Sequence, residues 1–318
     1  MALDNKIDNQ DKPSIQDMIA KKKNGKNLTS ITEKVIPVLL FLIAAVSIFT
    51  TIGIVYTLLI ETIEFFKRVP VMDFFTGTAL KPLSQNPEFG VLPLINGTII
   101  SSIIAMLVAG PIGIMTAVFL SEYASERVRR TLKPMLEILA GIPTIVYGFF
   151  AFTFVTPLIR EVFPSVEATN ILSPGLVMGV MIIPMIASLS EDAMTSVPNA
   201  MREGALALGA TKLEVTFRVV IPAALSGIIA SFVLGISRAI GETMIVTIAS
   251  GSSKNFTFDI TQSMQTMTAY IVEVSGGEAP AGSTIYFSLY AVAMTLFVFT
   301  LLMNLLARYV SRKFREEY

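Results

Sequence analysis

Six stretches without a single charged residue dominate this chain: Val35–Ile60, Phe89–Ser121, Ile138–Ile159, Ala168–Ser190, Val219–Ser237 and Ala279–Ala307. Each exceeds the roughly 18 residues at which an apolar run becomes a candidate membrane-spanning helix. In lipid every backbone N–H and C=O must be satisfied within the protein, so such runs fold as helices or not at all. The pattern predicts an all-α integral membrane protein with six transmembrane helices. The charged content agrees: 15% of the 318 residues, against roughly 25% in a soluble domain.

The runs divide the chain. Residues 1–34 are polar, with a lysine cluster at Lys21, Lys22, Lys23 and Lys26 and too few large apolar residues for a core; they read as a largely disordered tail. No apolar segment precedes Val35, and the run from Val35 is longer than the apolar region of a signal peptide, so 35–60 is the first transmembrane helix. Residues 61–88 then form a loop, 89–307 the transmembrane core, and 308–318 a C-terminal tail. Of the 24 lysines and arginines, 18 fall in the two tails and in the 122–137 and 191–218 loops. Five lie in the alternate connections, and Arg238 stands apart. The positive-inside rule therefore places both termini in the cytoplasm and the 61–88 and 252–283 segments outside.

The chain has no cysteine and no histidine. Disulfides, thiolate chemistry and the usual ligands of zinc, copper and haem are excluded, so no metal site and no cofactor are expected. A net charge of zero argues against a nucleic-acid binder. No nucleophile–base constellation appears, which disfavours a membrane enzyme.

Glycine and proline interrupt four runs: Gly110-Pro111-Ile112-Gly113, Gly141-Ile142-Pro143, Pro184 and Pro222. Proline removes a donor and kinks a helix, so bends are expected at all four, in the cytoplasmic half of the membrane. Ordinary packing of small residues is the alternative.

The 191–218 loop is organised beyond a connector. Pro198 suits a helix start, Asn199–Leu208 contains good helix formers apart from Gly204, and Gly209 is a C-terminal stop of the left-handed kind. Thr211-Lys212-Leu213-Glu214 is a capping-box pattern that opens a second helix into the fifth run. Gly204 and Gly209 have the spacing of a phosphate-binding loop, but the lysine after the second glycine is missing and no strand precedes them. If ATP drives this protein, another subunit binds it.

The second polar constellation is Ser237-Arg238-Ala239-Ile240-Gly241-Glu242-Thr243-Met244. If one helix runs from Pro222 to Ala249, Arg238 and Glu242 are an i,i+4 pair inside the membrane. Such charges are costly there and line a cavity or pair, and the guanidinium fork suits phosphate or carboxylate oxygens. If the span ends at Ser237, the two are an interfacial ion pair worth little.

The spacing Glu203-x-Ala205, Gly209, then Val219-x-Ile221-Pro222 resembles the EAA loop of the membrane subunits of ABC importers, with Gly204 where those proteins usually have alanine. Several further segments make the resemblance narrower: Asn96-Gly-Thr98, Leu120-Ser-Glu-Tyr123, the run Leu136–Gly148 and Arg238-Ala-Ile-Gly-Glu-Thr-Met244. Over roughly residues 88–307 the chain resembles the phosphate-specific permeases of the PstC type. That resemblance implies a type I importer fold whose cytoplasmic coupling helix carries Glu203, Gly204, Ala205 and Gly209. It further implies Arg238 and Glu242 on the substrate path, a heterodimer with a PstA-type permease, a dimer of PstB-type ATPases and an external PstS-type phosphate-binding protein. The sister permease, a permease for another oxyanion and a gradient-driven secondary transporter are the alternatives.

Overall fold

The computed structural model describes residues 26–313 and residue 16. The first helix, α1 (Lys26–Phe66), begins inside the segment read as a tail; apart from residue 16, the rest of that expected tail lies outside the described residues. The chain forms two units, residues 1–57 and 58–318. Within the first, α1 exposes its apolar side chains all round, Phe41 and Phe49 among the barest.

In the second unit, the segment expected as a plain loop after α1 is a small folded cap. It comprises α2 (Val71–Thr76) and a two-stranded antiparallel hairpin, β1 (Leu80–Lys81) with β2 (Glu88–Phe89), in the register Leu80↔Phe89 and Lys81↔Glu88. Its core is aromatic: Phe65 meets Phe74 and Phe89 edge-on at 5.4 and 5.6 Å. Edge-to-face contact is the favourable geometry for such rings.

Next come α3 (Leu92–Tyr123), α4 (Glu126–Ala140), α5 (Thr144–Val162) and α6 (Leu172–Thr195). They are followed by α7 (Asn199–Ala207), α8 (Lys212–Ala223), α9 (Leu225–Ile240) and α10 (Met244–Ala249). The last two are α11 (Met267–Glu273) and α12 (Thr284–Lys313), which continues into the expected C-terminal tail. Among the described residues five helices are long and apolar enough to cross a membrane: α1, α3, α5, α6 and α12. The pair α8–α9, bent by 71°, makes a sixth if counted as one span.

The centre of the fold is the long contact between α3 and α6. Small residues set its closeness: a Cβ on Gly175 would meet Ile104 at 2.8 Å, and one on Gly179 would meet Val108 at 2.7 Å. In lipid, where apolar burial gives little gain between helices, such close packing is what holds them together. Two of the expected interruptions do not end a helix: α3 and α6 continue through Pro111 and Pro184, since each proline removes a single ladder bond.

The other two breaks are present. Gly141-Ile142-Pro143 separates α4 from α5, so the third span starts at Thr144 and α4 is an amphipathic helix of its own with no fully buried residue. Beyond Pro222 the chain turns at Ala224 between α8 and α9.

The 252–283 segment is not an exposed loop. Met264–Tyr270 are buried against α3, and hydroxyl groups make this tolerable. Thr98 Oγ1 accepts the Met267 N–H at 3.0 Å, and Thr266 Oγ1 accepts the Ala269 N–H at 3.2 Å. The segment approaches α3 so closely that a Cβ on Gly97 would lie 2.5 Å from the Gln265 carbonyl oxygen.

Candidate functional site

Two places carry the polar groups singled out in the sequence. The first is the α7–α8 turn. Helix α7 starts after Pro198, whose extended backbone leads into it, and ends at Leu208; Gly209 follows with φ +87°. A residue with a Cβ would be strained in that conformation. Thr211 Oγ1 accepts the Glu214 N–H at 3.3 Å, and the Glu214 carboxylate accepts the Thr211 N–H at 2.9 Å, closing the expected capping box. The turn is therefore defined at both its ends, by Gly209 and by the capping box, and α8 leads from it toward α9.

The two faces of α7 differ. Met201 and Ala205 are half-buried over a cluster that includes Ala117, Met194, Val197 and Val215. Glu203, Gly204, Leu206 and Gly209 face outward, and Leu208 is 91% exposed. Thus Ala205 seats the helix, while Glu203 and Gly204 form part of a bare outer face with two leucines that the sequence alone did not single out.

Four charged contacts were also not foreseen. Arg202 reaches Glu122 in the π-helical turn Phe119–Tyr123 that ends α3. Lys212 lies 4.9 Å from the centroid of the Tyr123 ring. Glu191, near the end of α6, is bound by Arg129 and Lys133 of α4, residues that were read only as topology determinants. Burial works against the Lys133 charge, but hydrogen bonds from its ammonium to Asp192 and Glu191 outweigh this and raise its pKa above the ordinary lysine value. A carboxylate at the close of an apolar run was the available signal for Glu191.

The second place is the end of α9. Arg238 and Glu242 are not an i,i+4 pair on one helix. Helix α9 ends at Ile240 with Gly241 as its cap, and α10 starts anew at Met244. Glu242 is what divides them. Its Oε1 accepts the N–H groups of Met244 and Ile245 at 3.1 and 3.2 Å, and its carbonyl accepts the Thr268 hydroxyl at 2.7 Å. A side-chain acceptor at a helix start satisfies donors that a continuous helix would have used. Glu242 is consequently buried, while Arg238 is exposed and in no salt bridge among the described residues. One guanidinium nitrogen lies 3.8 Å from the Met181 sulfur of α6. Neighbouring Ser237 donates to Asn304 Oδ1 at 2.9 Å, fastening α9 to α12.

Residues 109–316 match the profile of a family described as binding-protein-dependent transport system inner membrane component. The chain is 31% identical over 309 residues to the probable ABC transporter permease protein YqgH of Bacillus subtilis (strain 168), covering 96% of this chain and 99% of that one. It is 36% identical over 257 residues to the phosphate transport system permease protein PstC of Mesorhizobium japonicum, covering 75% and 77%. Among solved structures, a chain of a bacterial alginate ABC transporter in complex with a periplasmic protein superposes with a TM-score of 0.63 at 16% identity, over 92% of this chain and 99% of that one. A chain of the MetNI methionine ABC transporter gives 0.53 at 16% identity, over 71% and 95%. At such identities the structural likeness speaks for the fold alone.

Proposed function

Because this chain belongs to the family of inner-membrane components of binding-protein-dependent transport systems, we propose that it is one of two permease subunits that together pass inorganic phosphate across the plasma membrane. The fold is that of a type I ABC importer permease. Such a subunit does not hydrolyse ATP; a separate ATPase does. The observation that carries the phosphate reading is the identity, at 36% over three quarters of the chain, with a phosphate transport system permease.

In this reading each site has a role. Both termini and α7 face the cytoplasm, as the distribution of lysine and arginine favours. The bare face around Glu203, Gly204, Leu206, Leu208 and Gly209 receives a PstB-type ATPase dimer. Closure of that dimer on ATP pushes α7, and the capped turn at Gly209–Thr211 passes the push through α8 to α9. Arg238, exposed at the end of α9, faces a PstA-type partner across the path. Its planar fork can take two phosphate oxygens at once when a PstS-type protein releases phosphate from outside. Glu242 holds the α9–α10 break that sets Arg238 at the end of its helix.

Reconstitution of the chain with these three partners in proteoliposomes tests the reading. Phosphate uptake is expected only with ATP inside, the binding protein outside, and both permeases present. ATP-driven uptake of a different oxyanion, with phosphate not carried, would overturn the substrate. Uptake driven by a proton or sodium gradient without ATP would overturn the class.

A further inference from the structure

We infer that Arg202 is a positioning residue that locks the coupling helix α7 to the cytoplasmic end of α3, so that a push on α7 moves α3 directly as well as reaching α9 through α8. The inference rests on the reading of α7 as the ATPase-coupling helix.

Arg202 is at the first turn of α7, and its guanidinium joins three elements. One terminal nitrogen donates to the Met194 carbonyl at the end of α6, at 2.7 Å, and to Glu122 Oε1 at the end of α3, at 3.1 Å. The other donates to the Val197 carbonyl and, at 3.3 Å, to the side-chain oxygen of Asn199. The pair is sheltered, with 16% of the Arg202 side chain and 7% of the Glu122 side chain exposed. Ser121 Oγ donates to the same carboxylate oxygen at 2.9 Å and steadies it.

The rest of α7 does not fix its own position. A nine-residue helix is marginal without tertiary contacts, and the apolar seat of α7 consists of Met201 and Ala205, both only half-buried. Whatever orients the helix must be directional, and hydrogen bonds to a charged group are both directional and strong. A planar, multi-donor head reaches the Met194 and Val197 carbonyls and a carboxylate of α3 together; the compact ammonium of a lysine does not offer that fixed fork. Lys212, over the Tyr123 ring, places the start of α8 on the same π-helical turn. Both helices of the coupling segment therefore bear on the end of α3.

The test uses the reconstituted complex of both permeases, the ATPase dimer and the binding protein, with Arg202→Met, Arg202→Lys, Glu122→Gln and the double variant Arg202→Met/Glu122→Gln. Three quantities are read: ATPase retained on the purified permease, ATP hydrolysed with the binding protein present, and phosphate imported per ATP. For Arg202→Met, retention within about twofold of the parent and a fall of about tenfold in phosphate per ATP are expected, the scale of one lost charge-assisted hydrogen bond. Arg202→Lys should not restore the ratio, and the double variant should be no worse than Arg202→Met alone. An unchanged ratio would overturn the inference. So would losses of complex, hydrolysis and uptake in proportion, which mark a merely structural residue, or effects of the two positions that add. A parent complex that fails to import phosphate with ATP sinks the function itself and this inference with it; a parent that imports beside variants that match it sinks only the inference.

Discussion

The carboxylate of Glu191 lies between the Arg129 guanidinium and the Lys133 ammonium, 2.7 Å from the latter, with none of its side chain exposed. Helix α4 has no fully buried residue of its own, so this joint, with Lys133 also reaching Asp192 at 2.6 Å, is what fastens it to α6.

Glu191→Ala should therefore loosen α4 and lower the stability of the whole body. The expected cost is about 3 kcal/mol, the low end for breaking a buried pair, because both cations keep some contact with water and can rehydrate. Thermal unfolding of the purified protein in detergent measures it. Arg130→Ala, which breaks only the exposed pair with Glu126, is the control and should leave the transition in place. Equal behaviour of the two variants would show that Glu191 does not hold the joint.

Gly204 and Gly209 should respond in opposite directions. A Cβ would meet no atom within 4 Å at either, so only the backbone decides. Gly204 is in the helix interior, where alanine is better by about 1 kcal/mol. Gly209 has φ +87°, where a side chain costs about 1–2 kcal/mol. Amide exchange across 199–207 should slow in Gly204→Ala and quicken in Gly209→Val. The same sign for both would mean that the turn is not what ends α7.

Glu242 offers a way to separate cap from charge. Glu242→Gln keeps an oxygen to accept the Met244 and Ile245 N–H groups, so folding should be nearly unchanged. Glu242→Leu removes the cap and should cost about 1 kcal/mol or more. If uptake falls in the glutamine variant while its unfolding temperature holds, the negative charge itself serves transport. Uptake that falls only in the leucine variant assigns Glu242 to shaping the α9–α10 break.

Arg238 is exposed, and among the described residues it is in no salt bridge, so its removal leaves no buried carboxylate stranded. Arg238→Ala should assemble with the partner subunits and melt like the parent, yet lose most phosphate uptake. Full uptake by that variant would remove Arg238 from the substrate path.

How much of this was legible beforehand depended on the range of the interaction concerned. The capping box at Thr211–Glu214 and the left-handed Gly209 were readable because a cap and a turn involve residues within four positions. At Pro111 and Pro184 the helices continue, because a proline removes one ladder bond and the residue alone does not say whether a helix ends there. The Arg238–Glu242 pair failed for a related reason. Periodicity assumes that the helix continues, whereas Glu242 spends its acceptor on the next helix start and its carbonyl on Thr268, a residue 26 positions away.

By itself the sequence determined that the chain is helical and membrane-embedded, since an uncharged run of that length has no other way to satisfy its backbone in lipid. It also determined where the capped turn at Gly209–Thr211 would fall. Tertiary structure alone decided which charges meet. Glu122 and Arg202 are 80 residues apart, and Glu191 and Lys133 are 58. A salt bridge between distant helices leaves no period or spacing in the sequence; these two exist only once packing has brought the helix ends together. Met264–Tyr270 are likewise buried only in the folded chain, where the Glu242 carbonyl accepts the Thr268 hydroxyl and the Tyr270 and Ser288 hydroxyls pair.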